Sequence, residues 1–343
     1  MISQKELAKR LGISQTTVSG ILGGVRTEMF RPELREKVLR GAEEYGYVRN
    51  VSASAVRTGT NRSTVAIVGS SRNLYTQELL FLLTRYLNKR QLVPRCYVDG
   101  DIEKTFLEIA ANQIPYVINN LSSLSERKKS AECARKHRMK MAFICPVREF
   151  PDFPAFDQDT TGIMRKMIRY LHGFGHERIL LHCARHKVHS TAECLHRGYR
   201  EGLEACALPR EPGLAVCGEF DDARFWSLLE KFRPTAIVSV SPTLSVRIAL
   251  SLERRGVEIP HDLSLLSFGT LPMLENFPKT PVTSTIGDEM ERFDDIFRYF
   301  HGERTAADGE FYSRFYDHRI VERQSVARPD TAWKPRPKKV RNQ

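Results

Sequence analysis

No run of about 18 apolar residues occurs anywhere in the 343-residue chain, which excludes a membrane-spanning helix on length alone. The opening Met1-Ile2-Ser3-Gln4-Lys5-Glu6 lacks the charged-then-apolar profile of a secretory leader. Cysteine is sparse and scattered. The seven residues (Cys96, Cys133, Cys145, Cys183, Cys194, Cys206 and Cys217) are odd in number and form no C-x-x-C pair. That pattern argues against a disulfide framework and fits a reducing cytoplasm. Motifs of catalysis are missing too. There is no nucleophile elbow, P-loop, H-E-x-x-H or G-x-G-x-x-G after a strand, so the expectation is a non-enzyme without a cofactor.

Acidic charge is in deficit, and unevenly so. The chain carries a net +12. Residues 1–62 hold 11 Lys/Arg against 6 Glu, and residues 328–343 hold 6 Lys/Arg against Asp330 alone, each a surplus of five. A nearly neutral body therefore lies between two basic ends, a distribution that suits a polyanionic partner.

The first 46 residues read as three short helices. Ser3 and Glu6 have capping-box spacing, Leu7, Ala8 and Leu11 follow at helical intervals, and Gly12 suits a left-handed stop. Ser14 is the next N-cap candidate, ahead of a helix whose inner face is Val18, Ile21 and Leu22. A third helix starts at Pro32 and is expected to bury Leu34, Val38, Leu39, Ala42 and Tyr45 before Gly46. Two short helices joined by a Gly-containing turn, with a third behind, make a helix-turn-helix unit. The exposed start of the second helix, Gln15-Thr16-Thr17-Val18-Ser19, offers short hydrogen-bonding side chains suited to base edges and phosphates.

Beyond residue 62, short apolar runs alternate with amphipathic helical stretches. The first series runs through Val65–Val68, Gln77–Leu87, Arg95–Val98, Ile102–Ala110, Tyr116–Ile118, Glu126–His137 and Met141–Cys145. The second runs through Gly162–Leu171, Ile179–His182, Gly198–Ala205, Leu214–Cys217, Phe225–Lys231, Ala236–Val240, Ser245–Arg255 and Leu263–Phe268. Such alternation predicts an α/β body of parallel sheets flanked by helices, in two lobes with a ligand cleft between them. The tail Lys334-Pro335-Arg336-Pro337-Lys338-Lys339 is Pro-rich and basic, and is expected to be disordered. Asp157 and Asp159 could be taken for a catalytic carboxylate pair, but Asp159 is also well placed to cap the helix through Gly162.

The ordered set of landmarks resembles the lac repressor (LacI/GalR) family of transcriptional regulators. It comprises Glu6-Leu7-Ala8-Lys9-Arg10-Leu11-Gly12-Ile13-Ser14, Thr17-Val18-Ser19, Ala42-Glu43-Glu44-Tyr45-Gly46-Tyr47, Arg57-Thr58-Gly59, Gly175-His176-Glu177-Arg178-Ile179, Pro281-Val282-Thr283-Ser284-Thr285 and Val321-Glu322-Arg323-Gln324-Ser325. The resemblance implies a helix-turn-helix head over residues 1–49 and a hinge helix and linker over 50–61. It implies a two-lobed, periplasmic-binding-protein-like core over 62–327, with a basic tail over 328–343. The first lobe would take 62–157 and 287–315, and the second 158–286 and 316–327.

It further implies a homodimer on a near-palindromic double-stranded operator, with Gln15 and Thr16 reading base edges and Thr17 and Ser19 holding phosphates behind the Ser14 cap. The family often carries a base-reading Arg where Gly20 stands, so a different operator sequence is expected. Asn50, Ala53, Val56 and Arg57 match the hinge that enters the minor groove. Val56 stands in the place of the usual Leu wedge, and a shorter wedge should bend the duplex less.

For the effector cleft the matching positions are Asn73, Tyr75, Leu195, Phe220, Ser241 and Gly269. The family's sugar-gripping Arg falls on Leu195, its Asn-Asp pair on Ser241-Pro242, and its Gly-Phe-Asp-Asp step on Ser267-Phe268-Gly269-Thr270. A polyol needs charge-assisted hydrogen bonds that these residues do not supply. The small-molecule effector is therefore either less hydroxylated and more aromatic, or absent. A metal reading of His182-Cys183-x-x-His186-x-x-His189 with Cys194 and His196 is set against a plain strand end followed by a polar loop, and the expectation is no metal. The alternative function is a small-molecule receptor whose helical head docks something other than DNA.

Overall fold

The computed structural model describes residues 2–23, 29–47, 60–69, 74–121, 123–144, 150–183, 189–276, 278–302 and 313–329; for residues 23, 74–76, 189–191 and 313 it describes the backbone alone. The chain divides into two units, Met1–Ser63 and Thr64–Gln343. The hinge positions Asn50, Ala53, Val56 and Arg57, the cleft position Asn73 and the tail after residue 329 lie outside the described residues.

The first unit is three helices: α1 (Gln4–Leu11), α2 (Gln15–Gly23) and α3 (Pro32–Glu44). Ser3 caps α1 by accepting from the Glu6 amide at 3.1 Å, and Gly12 ends it with φ 65°, a conformation that costs a glycine little. Leu7, Ala8, Val18, Ile21, Val38 and Ala42 form the core. Each fully buried aliphatic side chain among them contributes roughly 1.5–3 kcal/mol, which is what holds helices this short in place. Leu39 does not join them: it is 56% exposed. Val38 and Ala42 occupy the inward row one turn apart, and Leu39 lies about 100° round from Val38, off that face.

The second unit carries two six-stranded sheets. The first is ordered β11-β5-β4-β3-β1-β2, with β1 (Thr64–Gly69), β2 (Val93–Val98), β3 (Tyr116–Asn120), β4 (Lys140–Phe143), β5 (Ala155–Gln158) and β11 (Ser313–Tyr316), every pair parallel. Strand β1 is buried along its whole length and alternates between two cores. Val65 and Ile67 face α4 (Leu74–Lys89) and α12 (Glu289–His301), whereas Ala66 and Val68 face α5 (Ile102–Ala111) and α6 (Leu124–Lys136). A strand covered on both faces reads as a continuous apolar run, as Val65–Val68 does.

The second sheet is ordered β12-β10-β9-β8-β6-β7, from β6 (Ile179–Cys183), β7 (Ala215–Cys217), β8 (Ala236–Ser239), β9 (Ser264–Ser267), β10 (Thr283–Gly287) and β12 (His318–Val321). Only β12 runs antiparallel among these strands. Its helices are α7 (Thr160–Gly173), α8 (His189–Ala205), α9 (Asp222–Phe232), α10 (Pro242–Arg254) and the short α11 (Met273–Asn276). The chain passes between the sheets three times: after β5, after β10, and at Asp317 between β11 and β12. The α/β class with parallel sheets flanked by helices is the one the strand–helix alternation predicted. Among the described residues no helix is long and apolar enough to cross a membrane.

Candidate nucleic-acid interface and sensing lobe

The start of α2 is organised by Ser14. Its Oγ accepts from the Thr17 amide at 3.1 Å and pairs with the hydroxyls of Thr16 at 3.0 Å and Thr17 at 2.8 Å. A hydroxyl has one proton and two lone pairs, so these three contacts saturate it. Ser14 is thus a positioning residue that fixes the first turn. Gln15 and Thr16 stand exposed at that turn, Thr17 and Ser19 are half-buried, and Val18 fills the core beneath them. The amide-rich end of a helix, presented with short donors and acceptors, matches what phosphates and base edges require.

Further along α2, Gly20 lies under the ring of Phe30. A Cβ at Gly20 would stand 2.7 Å from Phe30 Cζ, inside the non-bonded contact distance of two carbons, so the ring would have to shift. The head uses this position to receive an aromatic ring from the connection to α3, not to project a long side chain.

In the second sheet the remaining cleft candidates cluster at the C-terminal strand ends, where ligands of open α/β sheets bind. Ser241 follows β8 and caps α10, its Oγ accepting from the Leu244 amide at 3.2 Å. Gly269 follows β9 with φ 79° and donates to Thr285 Oγ1 at 2.8 Å. Leu195, expected as a cleft position, is 2% exposed and belongs to the hydrophobic core of this sheet, so its side chain packs in that core. Of Tyr75 only the backbone, in α4, is described.

Phe220 is half-buried, its ring 5.7 Å from His182 and 5.2 Å from Phe225. Arg247 lies over it at 5.1 Å and donates to the Phe220 carbonyl at 3.1 Å. Burial, reinforced by Arg224 and Arg247, lowers the His182 pKa to about 4, so the ring is neutral in the folded protein. Sequence reasoning overlooked His182 and Arg247 as wall residues of this aromatic group. They sit on β6 and α10, 65 residues apart, and only the β6–β8 pairing brings the ends of those elements together.

The carboxylate pair separates into two roles. Asp159 caps α7, accepting from the Gly162 amide at 2.9 Å. Asp157 is buried, and desolvation raises its pKa to about 6 against the opposing pull of Arg292 and Arg127. The histidine–cysteine stretch also separates. Cys194 approaches Arg197, and His186 lies outside the described residues. Cys183 and His196 do come together, with Cys217 as a third member. Its membership follows from strand pairing and has no counterpart in the local spacing.

A family described as "Periplasmic binding protein-like domain" matches residues 168–288. The HTH-type transcriptional repressor PurR of Vibrio atlanticus is 22% identical over 306 residues, covering 85% of this chain and 88% of that protein. The HTH-type transcriptional regulator AglR of Rhizobium meliloti is 27% identical over 305 residues, covering 83% of each. Among solved structures, a lac repressor dimer bound to operator and the anti-inducer ONPF superposes with TM-score 0.71 at 15% identity, over 95% of this chain and 99% of that one. A transcriptional regulator CelR–cellobiose complex superposes with TM-score 0.64 at 20% identity, over 95% and 100%. These relatives are regulators of transcription, none an enzyme. Helical head, two-sheet body with three passages between its sheets, and relatives spanning most of both chains together mark this chain as a DNA-binding transcriptional regulator that resembles the lac repressor (LacI/GalR) family.

Proposed function

We propose that this chain is a repressor that binds a near-palindromic operator as a homodimer, one head in the major groove of each half-site. The observation that carries the reading is the first turn of α2. Gln15 and Thr16 stand exposed on a turn locked by the saturated Ser14 hydroxyl, over a core built from Val18, Ile21 and Val38. In this reading Gln15 and Thr16 contact bases, Thr17 and Ser19 contact phosphates, and Val56 with Asn50, Ala53 and Arg57 enters the minor groove. The organisation is a head over 1–49, a hinge over 50–61, the two-lobed core over 62–327 and a basic tail, working in the cytoplasm.

Four large apolar side chains support dimerisation through the first sheet. Phe81 on α4 is 63% exposed, Leu107 on α5 61%, and Val93 and Val98 on the edge strand β2 47% and 38%. Apolar exposure on this scale, next to an unpaired strand edge, fits a face covered by a second copy.

The sensing lobe takes a small molecule that is less hydroxylated and more aromatic than a sugar. The wall made by His182, Phe220 and Arg247 supports this, since a neutral imidazole and a ring under a guanidinium favour planar ligands. Selecting bound sequences from a random DNA pool with the full-length protein tests the operator reading. Enrichment of one inverted repeat is expected, and a selected pool with no shared sequence would overturn it.

A further inference from the structure

Outside the proposed DNA and effector contacts, three metal-ligating groups converge at one edge of the second sheet. Cys183 ends β6 and Cys217 ends β7, and the two are direct partners in the parallel ladder, so both side chains leave the same face at the same level. His196 reaches them from the second turn of α8, its Nε2 2.8 Å from Cys217 Sγ. The two sulfurs and the ring nitrogen all lie within 4.8 Å of one another. No other such group of three occurs among the described residues.

We propose that Cys183, Cys217 and His196 form a binding site for a thiophilic cation of the Zn2+ type. With metal–sulfur bonds of about 2.3 Å and metal–nitrogen bonds of about 2.0 Å, tetrahedral geometry places ligand atoms roughly 3.5–3.8 Å apart. The observed separations bracket that spacing, so adjustment of the Cys217 and His196 rotamers completes the set without moving the strands. Two thiolates and an imidazole are the soft and borderline donors such a cation prefers.

The surroundings give the site one closed and one open side. Cys183 is fully buried and anchored, its carbonyl accepting from the Gly218 amide at 3.1 Å, while Cys217 is exposed. A cation can therefore enter past Cys217, and a water or external ligand can fill the fourth position. In the absence of a cation the Cys183 thiol holds its proton, because its contact with Cys217 and its burial both disfavour the thiolate. Binding of a divalent ion releases one proton from each thiol to solvent, and the imidazole binds neutral.

The site adjoins the aromatic wall. His182 immediately precedes Cys183, and Phe220 follows Cys217 by three residues. A cation that draws these strand ends and α8 together would act on that wall from behind, which makes the site a second input to the lobe proposed to sense.

The test uses the full-length, reduced, metal-stripped protein, titrated with Co2+ as a spectroscopic probe and then with Zn2+ in competition. One equivalent should produce sulfur-to-cobalt charge-transfer absorption of two-thiolate intensity, which Zn2+ abolishes. Loss of a residue that only hydrogen-bonds to a metal ligand weakens metal sites by about 10–100-fold, so Cys217→Ser and His196→Ala should each weaken binding by about 100-fold or more. Cys206→Ser, at the end of α8 away from the cluster, should leave it unchanged. Cys217 and His196 are not fully buried, so these variants keep the fold that Cys183→Ala could compromise. Absence of the two-thiolate band, or binding insensitive to both variants, overturns the site. A Cys183–Cys217 disulfide forming in air from protein that binds no Co2+ overturns it in favour of a redox pair. No DNA is present in these measurements, so their failure leaves the operator reading intact.

Discussion

Gly20 on α2 and Phe30 ahead of α3 share one space: a Cβ at Gly20 would stand 2.7 Å from the Phe30 ring tip. This relation accounts for the missing long side chain at a position where the family often carries one. Gly20→Arg should lower the stability of the head by about 1 kcal/mol, despite the roughly 1 kcal/mol that any non-glycine residue gains in helix propensity. In a Phe30→Ala background the same substitution should cost less, with a coupling of at least about 0.5 kcal/mol in a double-mutant cycle. Strictly additive effects on thermal unfolding would show that the ring is not the obstacle.

The α2 side chains should separate by what they contact. Gln15→Ala is expected to relax base preference at one operator position and to cost about 1–3 kcal/mol there. Thr17→Ala and Ser19→Ala should weaken binding evenly across operator variants. Ser14→Ala removes a cap and should cost about 1 kcal/mol of head stability as well as affinity. Affinities across a set of single-base operator variants distinguish the three patterns.

Charge among the apolar side chains around the β2 edge should break the proposed dimer. Phe81→Glu places a carboxylate where an exposed ring now stands, and a monomer should appear in sedimentation at concentrations where the unmodified chain is expected to be dimeric. Operator affinity should fall with it, because two tethered heads bind far better than one. A Phe81→Glu protein that sediments and binds like the original would place the interface elsewhere.

Acid should destabilise the body through its buried histidines. Burial lowers the pKa of His176, His182 and His318 to about 4 each, below their ordinary 6.5. The unfolded chain therefore binds protons that the folded chain refuses, and the stability these neutral rings contribute is lost as pH falls from 6.5 through 4. A depression of that size corresponds to roughly 3 kcal/mol per ring when fully expressed. Asp157 acts in the opposite sense: its folded pKa is raised to about 6, so protonating it over the same range favours the folded state. The melting temperature should drop on acidification from about pH 7 to about pH 5, and more steeply in Asp157→Asn. A melting temperature flat across that window would contradict the assignment.

What could be read from the sequence tracks where hydrophobicity carries the fold. The caps at Ser3 and Ser14, the inner row Val18–Ile21 and the buried runs of β1, β6 and β8 follow directly from residue type and period. The last fifth or so of the body, after residue 268, did not. Strand β10 buries Thr283, Ser284 and Thr285 completely, and their hydroxyls accept from the Arg323 amide, Arg323 Nη1 and the Gly269 amide. A polar strand satisfied by distant partners has no apolar alternation to detect. Helix α12 likewise buries Arg292 and Asp295, with Asp295 receiving the Tyr316 hydroxyl at 2.7 Å and pairing with Arg314. The misplacement of Leu39 has the same origin: residue type marks what can be buried, and helix facing decides what is. At the sites, the Ser14-to-Ser19 row is local and visible, whereas Cys183 with Cys217 and His182 with Arg247 meet only through strand order.

The most direct test is the affinity and stoichiometry of the full-length protein on its selected inverted repeat, on one half-site, and on scrambled DNA at a fixed salt concentration. Two protomers per inverted repeat are expected, with a dissociation constant in the range of about 10⁻⁸–10⁻¹¹ M and a preference over scrambled DNA of at least about 10³. Equal binding to the inverted repeat and to scrambled DNA, differing only with salt, would contradict sequence-specific repression.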